Sequence, residues 1–163
     1  MSKGAYGEQA LELLGQFFEN AGINATKIET EPAYSIVLGG DHGLMPAMAG
    51  LLMDRHQFVT YVAAPSTCPA DRRGAVAEFV ARANWGLPMG NFELDMDDGS
   101  VRFKSSVDYE NVGLTQELVR NTFAPAAFTM DRYLEGLLAV MYGSKQPADV
   151  IEAIESDSPG DVG

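Results

Sequence analysis

The stretch that most constrains the fold is residues 84–95, with the sequence NWGLPMGNFELD. Gly86 and Pro88 indicate the end of a helix, because glycine is favoured just past a helix C-terminus and proline cannot continue the helix. Phe92 and Leu94 then alternate with polar residues, as in a strand with one buried face. The stretch therefore predicts a helix end, a rigid corner and the first strand of a hairpin.

The dipeptide Asp98-Gly99 predicts the turn of that hairpin, since a two-residue loop of this composition favours a type I′ turn. Counting outward from the turn gives two apolar pairs on a core face and two pairs of opposite charge on a solvent face: Met96 with Val101, Leu94 with Phe103, Asp95 with Arg102, and Glu93 with Lys104. We expect the hairpin to pack its apolar face under helices.

Apolar residues at helical spacing predict further helices over residues 8–21, 76–86 and 115–142. Thr115 is a candidate N-cap of the long third helix, and Gly143 ends it. Pro125 lies inside that helix and should kink or divide it. Pro147 is predicted to open a short last helix.

Three apolar segments with short turns between them predict an antiparallel meander: residues 34–38, 44–53 and 58–63. Pro46 suits an edge position or the first residues of the second strand. The predicted fold is two-layer α+β, with an antiparallel sheet of about five strands covered by helices in the order α-βββ-α-ββ-α(-α). We predict one domain over residues 1–155 and a disordered acidic tail over residues 156–163.

The charge balance disfavours nucleic acid as a partner. The chain has 11 Lys and Arg against 23 Asp and Glu, a net charge of -12, which repels phosphate backbones. Its apolar runs fall short of the ~20 residues of a membrane-spanning helix, and its N-terminus lacks the apolar core of a signal peptide. With a single cysteine, Cys68, the sequence predicts a cytoplasmic protein without an internal disulfide.

Candidate chemistry is sparse along the chain. His42 and His56 lie in predicted turns without neighbours at metal-ligand spacing, so surface histidines are favoured over a metal site. Cys68 lies at a predicted helix start, where the helix dipole would lower the pKa of its thiol, but no histidine partner is evident. Asp95, Asp97 and Asp98 do not fit a calcium-loop template. We predict no catalytic residue, cofactor or metal.

Apolar residues in two places suggest a partner-binding surface. Met45, Met48 and Leu51 lie in the apolar run of residues 44–53, and Trp85 and Leu87 lie at the corner. Methionine suits adaptable peptide-binding surfaces because its side chain is flexible. Core packing is the alternative interpretation for each of these residues.

The chain resembles the YbjN family of candidate bacterial sensory transduction regulators. The segments that carry the resemblance are FVARAN at residues 79–84, GLPMGNFELD at 86–95, DGSVRF at 98–103, LTQEL at 114–118 and DRYL at 131–134. The resemblance implies a fold similar to type III secretion chaperones, which are small acidic homodimers that hold partner polypeptides. It implies no catalytic residues.

These observations together predict a non-enzymatic, protein-binding or chaperone-like regulatory module in bacterial signalling or stress response. We expect a homodimer with a protein or peptide partner. One alternative is a small-molecule sensor or an enzyme with a site assembled from turns around His42, His56 and Cys68. Another is a structural dimer without any client.

Overall fold

A computed structural model describes the backbone of residues 3–156 and the side chains from Gly7 onward. Its four helices are α1 (Lys3–Asn20), α2 (Arg73–Gly86), α3 (Gln116–Tyr142) and α4 (Pro147–Ser156). Its strands are β1 (Ala25–Lys27), β2 (Ala33–Gly39), β3 (Leu44–Leu52), β4 (Gln57–Ala63), β5 (Asn91–Leu94) and β6 (Val101–Asp108).

The strands form one antiparallel sheet in the order β1-β2-β3-β4-β6-β5, and the predicted α+β class is confirmed. The sheet has six strands, because the three residues of β1 add a short strand beside β2. Pro46 lies in β3 just before its pairing with β4 begins at Ala47, so the missing N–H removes no bond from that ladder.

The core lies between one face of the sheet and a layer of helices. Alternate residues of β2, β3, β4 and β6 point into it, among them Ile36, Ala49, Val62 and Phe103. α1 contributes Leu14, Phe17 and Phe18, and α3 contributes its buried stripe from Val119 to Met141. The buried stripe of α2 consists of Val76, Phe79 and Ala83.

The predicted limits of α3 are confirmed. The Thr115 hydroxyl accepts a hydrogen bond from the backbone N–H of Leu118 at 3.2 Å, and the Gly143 N–H donates to the carbonyl of Ala139. Pro125 lies inside a single undivided helix of 27 residues.

α4 begins at Pro147 as predicted and includes Ser156. The predicted tail therefore begins inside a helix. Residues 157–163 lie outside the described part of the chain. The prediction of one domain over residues 1–155 stays a prediction.

The corner at residues 84–95 is fixed by one side chain. The Asn84 amide donates to the carbonyl of Phe92 at 3.1 Å and accepts from the Phe92 N–H at 2.7 Å, as a neighbouring strand would. Gly90 has φ of +73°, and a Cβ there would lie 2.7 Å from the carbonyl oxygen of Lys104. The end of α2 is therefore tied to the start of β5.

The predicted hairpin register is wrong by two residues. The observed pairs are Leu94 with Val101, Glu93 with Arg102, Phe92 with Phe103, and Asn91 with Lys104. The turn spans Asp95 to Ser100, because the Asp95 carboxylate accepts from the backbone N–H of Asp97 at 2.8 Å and closes a longer loop. Met96 consequently lies in the turn and is exposed, whereas Leu94, Val101 and Phe103 keep their core face.

Candidate protein-binding surface

The face of the sheet opposite the helices is the candidate site. Because successive side chains of a strand point to opposite faces, the residues between the core positions of β2, β3 and β4 all project here. Polar residues would be expected on a face that meets only water. Apolar side chains occupy much of it instead.

We define the open-face band as Val37, Leu44, Pro46, Met48 and Tyr61. Val37 pairs with Pro46 across β2 and β3, and Met48 pairs with Tyr61 across β3 and β4, so the band is continuous across three strands. Val37 and Leu44 are each 66% exposed, which is high for side chains of this size and type. Met48 and Tyr61 are half-buried. The band thus presents an apolar strip to the surroundings.

A charged cluster borders the band on β5 and β6, and we define it as Glu93, Arg102 and Lys104. The Arg102 Nε donates to one Glu93 carboxylate oxygen at 2.7 Å, and Lys104 donates to the other. The Arg102 guanidinium also lies over the Tyr61 ring, 4.0 Å from its centre. Burial acts to raise the pKa of Glu93, but hydrogen bonds from Lys104 and Arg102 hold it below its ordinary value. The three side chains of the cluster together carry one net positive charge.

The predicted partner-binding residues do not share one face. Met45 and Leu51 point into the core and are buried, which removes them from the accessible surface. Met48 belongs to the open-face band. Trp85, at the end of α2, is 94% exposed, and Leu87 beside it packs partly against the core.

The structure does not assemble His42, His56 and Cys68 into one site. The histidines lie in the turns at opposite ends of β3, a nine-residue strand about 27 Å long. Cys68 is buried beside the hairpin turn, where its N–H donates to the carbonyl of Gly99 at 2.7 Å. Burial raises the pKa of the Cys68 thiol despite the nearby Arg73 and Arg72, contrary to the lowering expected at a helix start.

Asp131 has a role that no pattern in the sequence indicated. Its carboxylate, on α3, accepts hydrogen bonds from the backbone N–H groups of Asp41 and His42, each at 3.0 Å. These bonds hold the β2–β3 turn that borders Leu44 of the band. A contact across 90 residues leaves no periodic signal in the sequence.

The described residues show neither a metal cluster nor a membrane span. Within residues 3–156, no three His, Cys, Asp or Glu side chains are grouped so that they could hold a metal ion. Over the same part of the chain, no helix is both long enough and apolar enough to cross a bilayer.

Comparisons with solved structures agree with this architecture. YbjN from E. coli superposes with a TM-score of 0.59 at 14% sequence identity, over 77% of this chain and 92% of that one. A chain of the ExsC–ExsE complex gives a TM-score of 0.51 at 17% identity, over 78% and 94%. A chain of the HopA1–SchA chaperone–effector complex gives 0.56 at 9% identity, over 83% and 98%. The predicted likeness to type III secretion chaperones is thus confirmed at the level of the fold.

Sequence comparison supplies the family. No curated protein matches the chain in sequence. The YbjN family model, described as "Putative bacterial sensory transduction regulator", matches residues 10–139. This match includes all six strands and most of α3, so it spans the sheet that carries the open-face band. The chain belongs to the YbjN family.

Proposed function

We propose that this protein is a non-enzymatic, chaperone-like regulatory module that binds a partner polypeptide on the open face of its sheet. The observation that carries the proposal is the open-face band, whose Val37 and Leu44 are 66% exposed. Contiguous apolar surface of this kind is characteristic of interaction sites. The family description concerns regulation, and two of the similar folds were solved in complexes named for two proteins, which supports the same class of function.

The shape of the band favours a polypeptide over a small molecule. Small-molecule sites are concave and enclose most of the ligand, whereas a band across three strands is an extended surface. The nine residues of β3 offer about 27 Å, enough for a short extended or helical segment. The partner segment would place apolar side chains on Val37, Leu44 and Met48.

The charged cluster adds a preference to this surface. Arg102 and Lys104 share one carboxylate, that of Glu93, so the three side chains of the cluster carry one net positive charge on a chain with a net charge of -12. An acidic residue beside the apolar anchors of the partner would be attracted to this border. We therefore expect an apolar segment with at least one flanking carboxylate.

Dimerisation and location are part of the proposal. We infer a homodimer in the bacterial cytoplasm, acting in signalling or a stress response, on the strength of the family resemblance. Trp85 is a candidate for the contact between copies, since a tryptophan 94% exposed gains much from burial. Light scattering across a dilution series tests this part. A mass of one chain at every concentration would refute the dimer, and a Trp85→Ala variant that dimerises normally would refute the assignment of the contact.

Affinity capture with matched variants tests the partner site. We expect the wild-type chain to retain a specific protein from an extract of the native cell, and the double variant Val37→Asp, Leu44→Asp to lose it. Phe128→Asp is the control, because Phe128 is also apolar and 75% exposed but lies on α3, away from the sheet face. Equal retention by the double variant and the wild type would overturn the proposed site. Retention of nothing by the wild type would count against the function itself.

The small-molecule alternative makes a different prediction. A ligand that binds the folded state raises the melting temperature, by an amount that grows with the logarithm of its concentration divided by its Kd. A thermal-shift screen against metabolites and metal ions should therefore give no large shift. One large shift with a small ligand would favour the sensor or enzyme hypothesis instead.

A further inference from the structure

α4 packs against α2 and α3 on the helical side of the molecule. We call the surface of α2 and α3 that α4 covers its seat. α4 lies beyond residues 10–139, which the family model matches. Ile151 is buried there, and Val150 and Ile154 pack against the core. A Cβ added at Gly136 of α3 would lie 2.6 Å from Cγ1 of Val150 and 2.7 Å from Cδ1 of Ile154. The absence of a side chain at Gly136 thus lets a helix lie directly on α3.

Two polar contacts from α3 fix the C-terminal end of α4. The Arg132 guanidinium donates to the carbonyl oxygen of Ile154 at 3.0 Å, and the Tyr133 hydroxyl donates to the Glu155 carboxylate at 3.4 Å. A cation near the last carbonyls of a helix is favourable because it opposes the negative end of the helix dipole. The contact of Arg132 is with the backbone, so it would be available to any helix in this seat.

α4 is attached to the rest of the chain in a way that permits it to leave. It has 10 residues, and helices of this length are marginally stable without tertiary contacts. Residues 143–146, which connect it to α3, are all exposed. A groove of about 700 Å³ opens between α3 and α4, and the charged side chains that line it include Arg132, Lys145, Glu135 and, from α4 itself, Asp149. Outside α4, the accessible flank of the seat therefore offers two cations beside the single carboxylate of Glu135.

We propose that this face of α2 and α3 is a receptor site for a short amphipathic helix of a partner protein, and that α4 occupies the site in cis. The partner helix would carry valine or isoleucine at the spacing of Val150, Ile151 and Ile154 and acidic residues on its outer face. α4 itself defines this chemistry, since its Asp149, Glu152 and Glu155 are exposed around that apolar stripe. The site is separate from the open-face band and does not depend on the function proposed for it.

Peptide binding to the full-length chain tests the proposal. The probe is a fluorescent peptide of residues 146–156, and its control is the same peptide with I151D and I154D. In the wild type, α4 competes with the peptide. The apparent affinity is therefore the intrinsic affinity multiplied by the fraction of molecules whose seat is free. The full-length Ile151→Asp variant should bind the peptide at least about tenfold more tightly than the wild type, because its own α4 packs poorly. The control peptide should bind neither protein.

A substitution in the seat itself provides a second measurement that does not require Ile151→Asp to fold. The full-length variant Gly136→Leu fills the space in which Val150 and Ile154 lie, because even a Cβ at this position would approach them to 2.6 and 2.7 Å. The peptide carries the same two side chains, so this variant should bind it at least about tenfold more weakly than the wild type. Equal binding by Gly136→Leu and the wild type, equal binding of the two peptides, or no binding to any variant would overturn the proposal.

Discussion

The Asp131 carboxylate accepts a hydrogen bond of 3.0 Å from the backbone N–H of His42, which lies 89 residues earlier in the chain. The second carboxylate oxygen accepts from the Asp41 N–H and lies 3.5 Å from Nδ1 of His42. A Cβ at Gly40 would lie 2.1 Å from Oδ1 of Asp131, so the turn needs glycine for the carboxylate to approach. The β2–β3 turn is therefore fastened to α3 by one side chain.

Asp131→Ala should destabilise the protein by about 2 kcal/mol, because two backbone donors lose a charged acceptor. Urea unfolding of the variant and the wild type measures the difference. Glu135→Ala is the matched control, since the Glu135 carboxylate is 83% exposed and lies 3.8 Å from the other ring nitrogen of His42. The control should stay within about 0.5 kcal/mol of the wild type. Equal losses in the two variants would contradict the role given to Asp131.

The contribution of Asp131 should disappear in acid. Burial acts to raise the pKa of Asp131, but the N–H groups of His42 and Asp41 hold it below the ordinary value of 3.8. A carboxyl group with a lowered folded-state pKa stabilises the protein above the unfolded-state value, and this stability is lost as the pH falls through the folded-state pKa. The contribution of the Asp131 carboxylate should therefore be fully present above about pH 5, and the stability difference between wild type and Asp131→Ala should shrink below the ordinary pKa. Urea melts at a series of pH values measure it, and a constant difference down to the lowest pH would exclude this linkage.

Much of the architecture could be predicted because its causes are local in sequence. The helical stripes, the Thr115 cap and the corner at residues 84–95 depend on neighbours within a few residues, and each is where the pattern indicated. β1 was missed because three residues, two of them exposed, are too short to show alternation. The Asp131 contact was missed, and of the open-face band only Met48 was named as a candidate, because both arise only when distant segments meet.

The hairpin shows a subtler limit of sequence reasoning. Asp98-Gly99 predicts a two-residue turn, but Asp95 competes by hydrogen-bonding the backbone inside the loop. The Gly99 carbonyl is also held by the N–H of Cys68, from a loop that local sequence cannot place. The shift is by two residues, so each side chain keeps its face and only its partner changes.

Glu93→Gln should cost about 0.5 to 1 kcal/mol at low salt, because Glu93 pairs with Arg102 and Lys104 at a partly exposed site. Salt at 1 M reduces the screening length to about 3 Å, so most of this cost should vanish there. Guanidinium chloride is itself a salt and would screen these ion pairs. The free energy of unfolding is therefore measured by urea titration at each salt concentration. Glu78→Gln is the control, since Glu78 pairs only with Arg82 among the described residues and its loss should cost about 0.3 kcal/mol. A cost independent of salt would contradict an electrostatic origin.

Thr60→Val should stabilise the protein by about 1 kcal/mol. Thr60 is fully buried on the core face of β4, and its hydroxyl has no hydrogen-bond partner among the described residues. Valine has nearly the same shape and removes the desolvated hydroxyl. Thermal or urea unfolding measures the gain. Thr26→Val, at an exposed position in β1, should change stability by less than about 0.5 kcal/mol.

Cys68 should react slowly with a thiol reagent in the native protein. Its side chain is 2% exposed, and burial raises the pKa of the thiol, so both access and thiolate formation are reduced. Modification then requires an opening of the loop between β4 and α2. We expect this opening to cost about 3 kcal/mol, which corresponds to about hundredfold protection of the thiol. Reaction with a chromogenic disulfide in buffer and in denaturant measures this ratio.

Gly99→Ala provides the comparison for that measurement, because Gly99 has φ of +82° and its Cβ would lie 2.2 Å from the carbonyl oxygen of Cys68. The strain should loosen the contact between the hairpin turn and the Cys68 loop, and the thiol of this variant should react faster than in the wild type. A native thiol that reacts as fast as the denatured one would show that the loop is open in solution. An unchanged rate in Gly99→Ala would show that the opening that exposes Cys68 does not involve the hairpin turn.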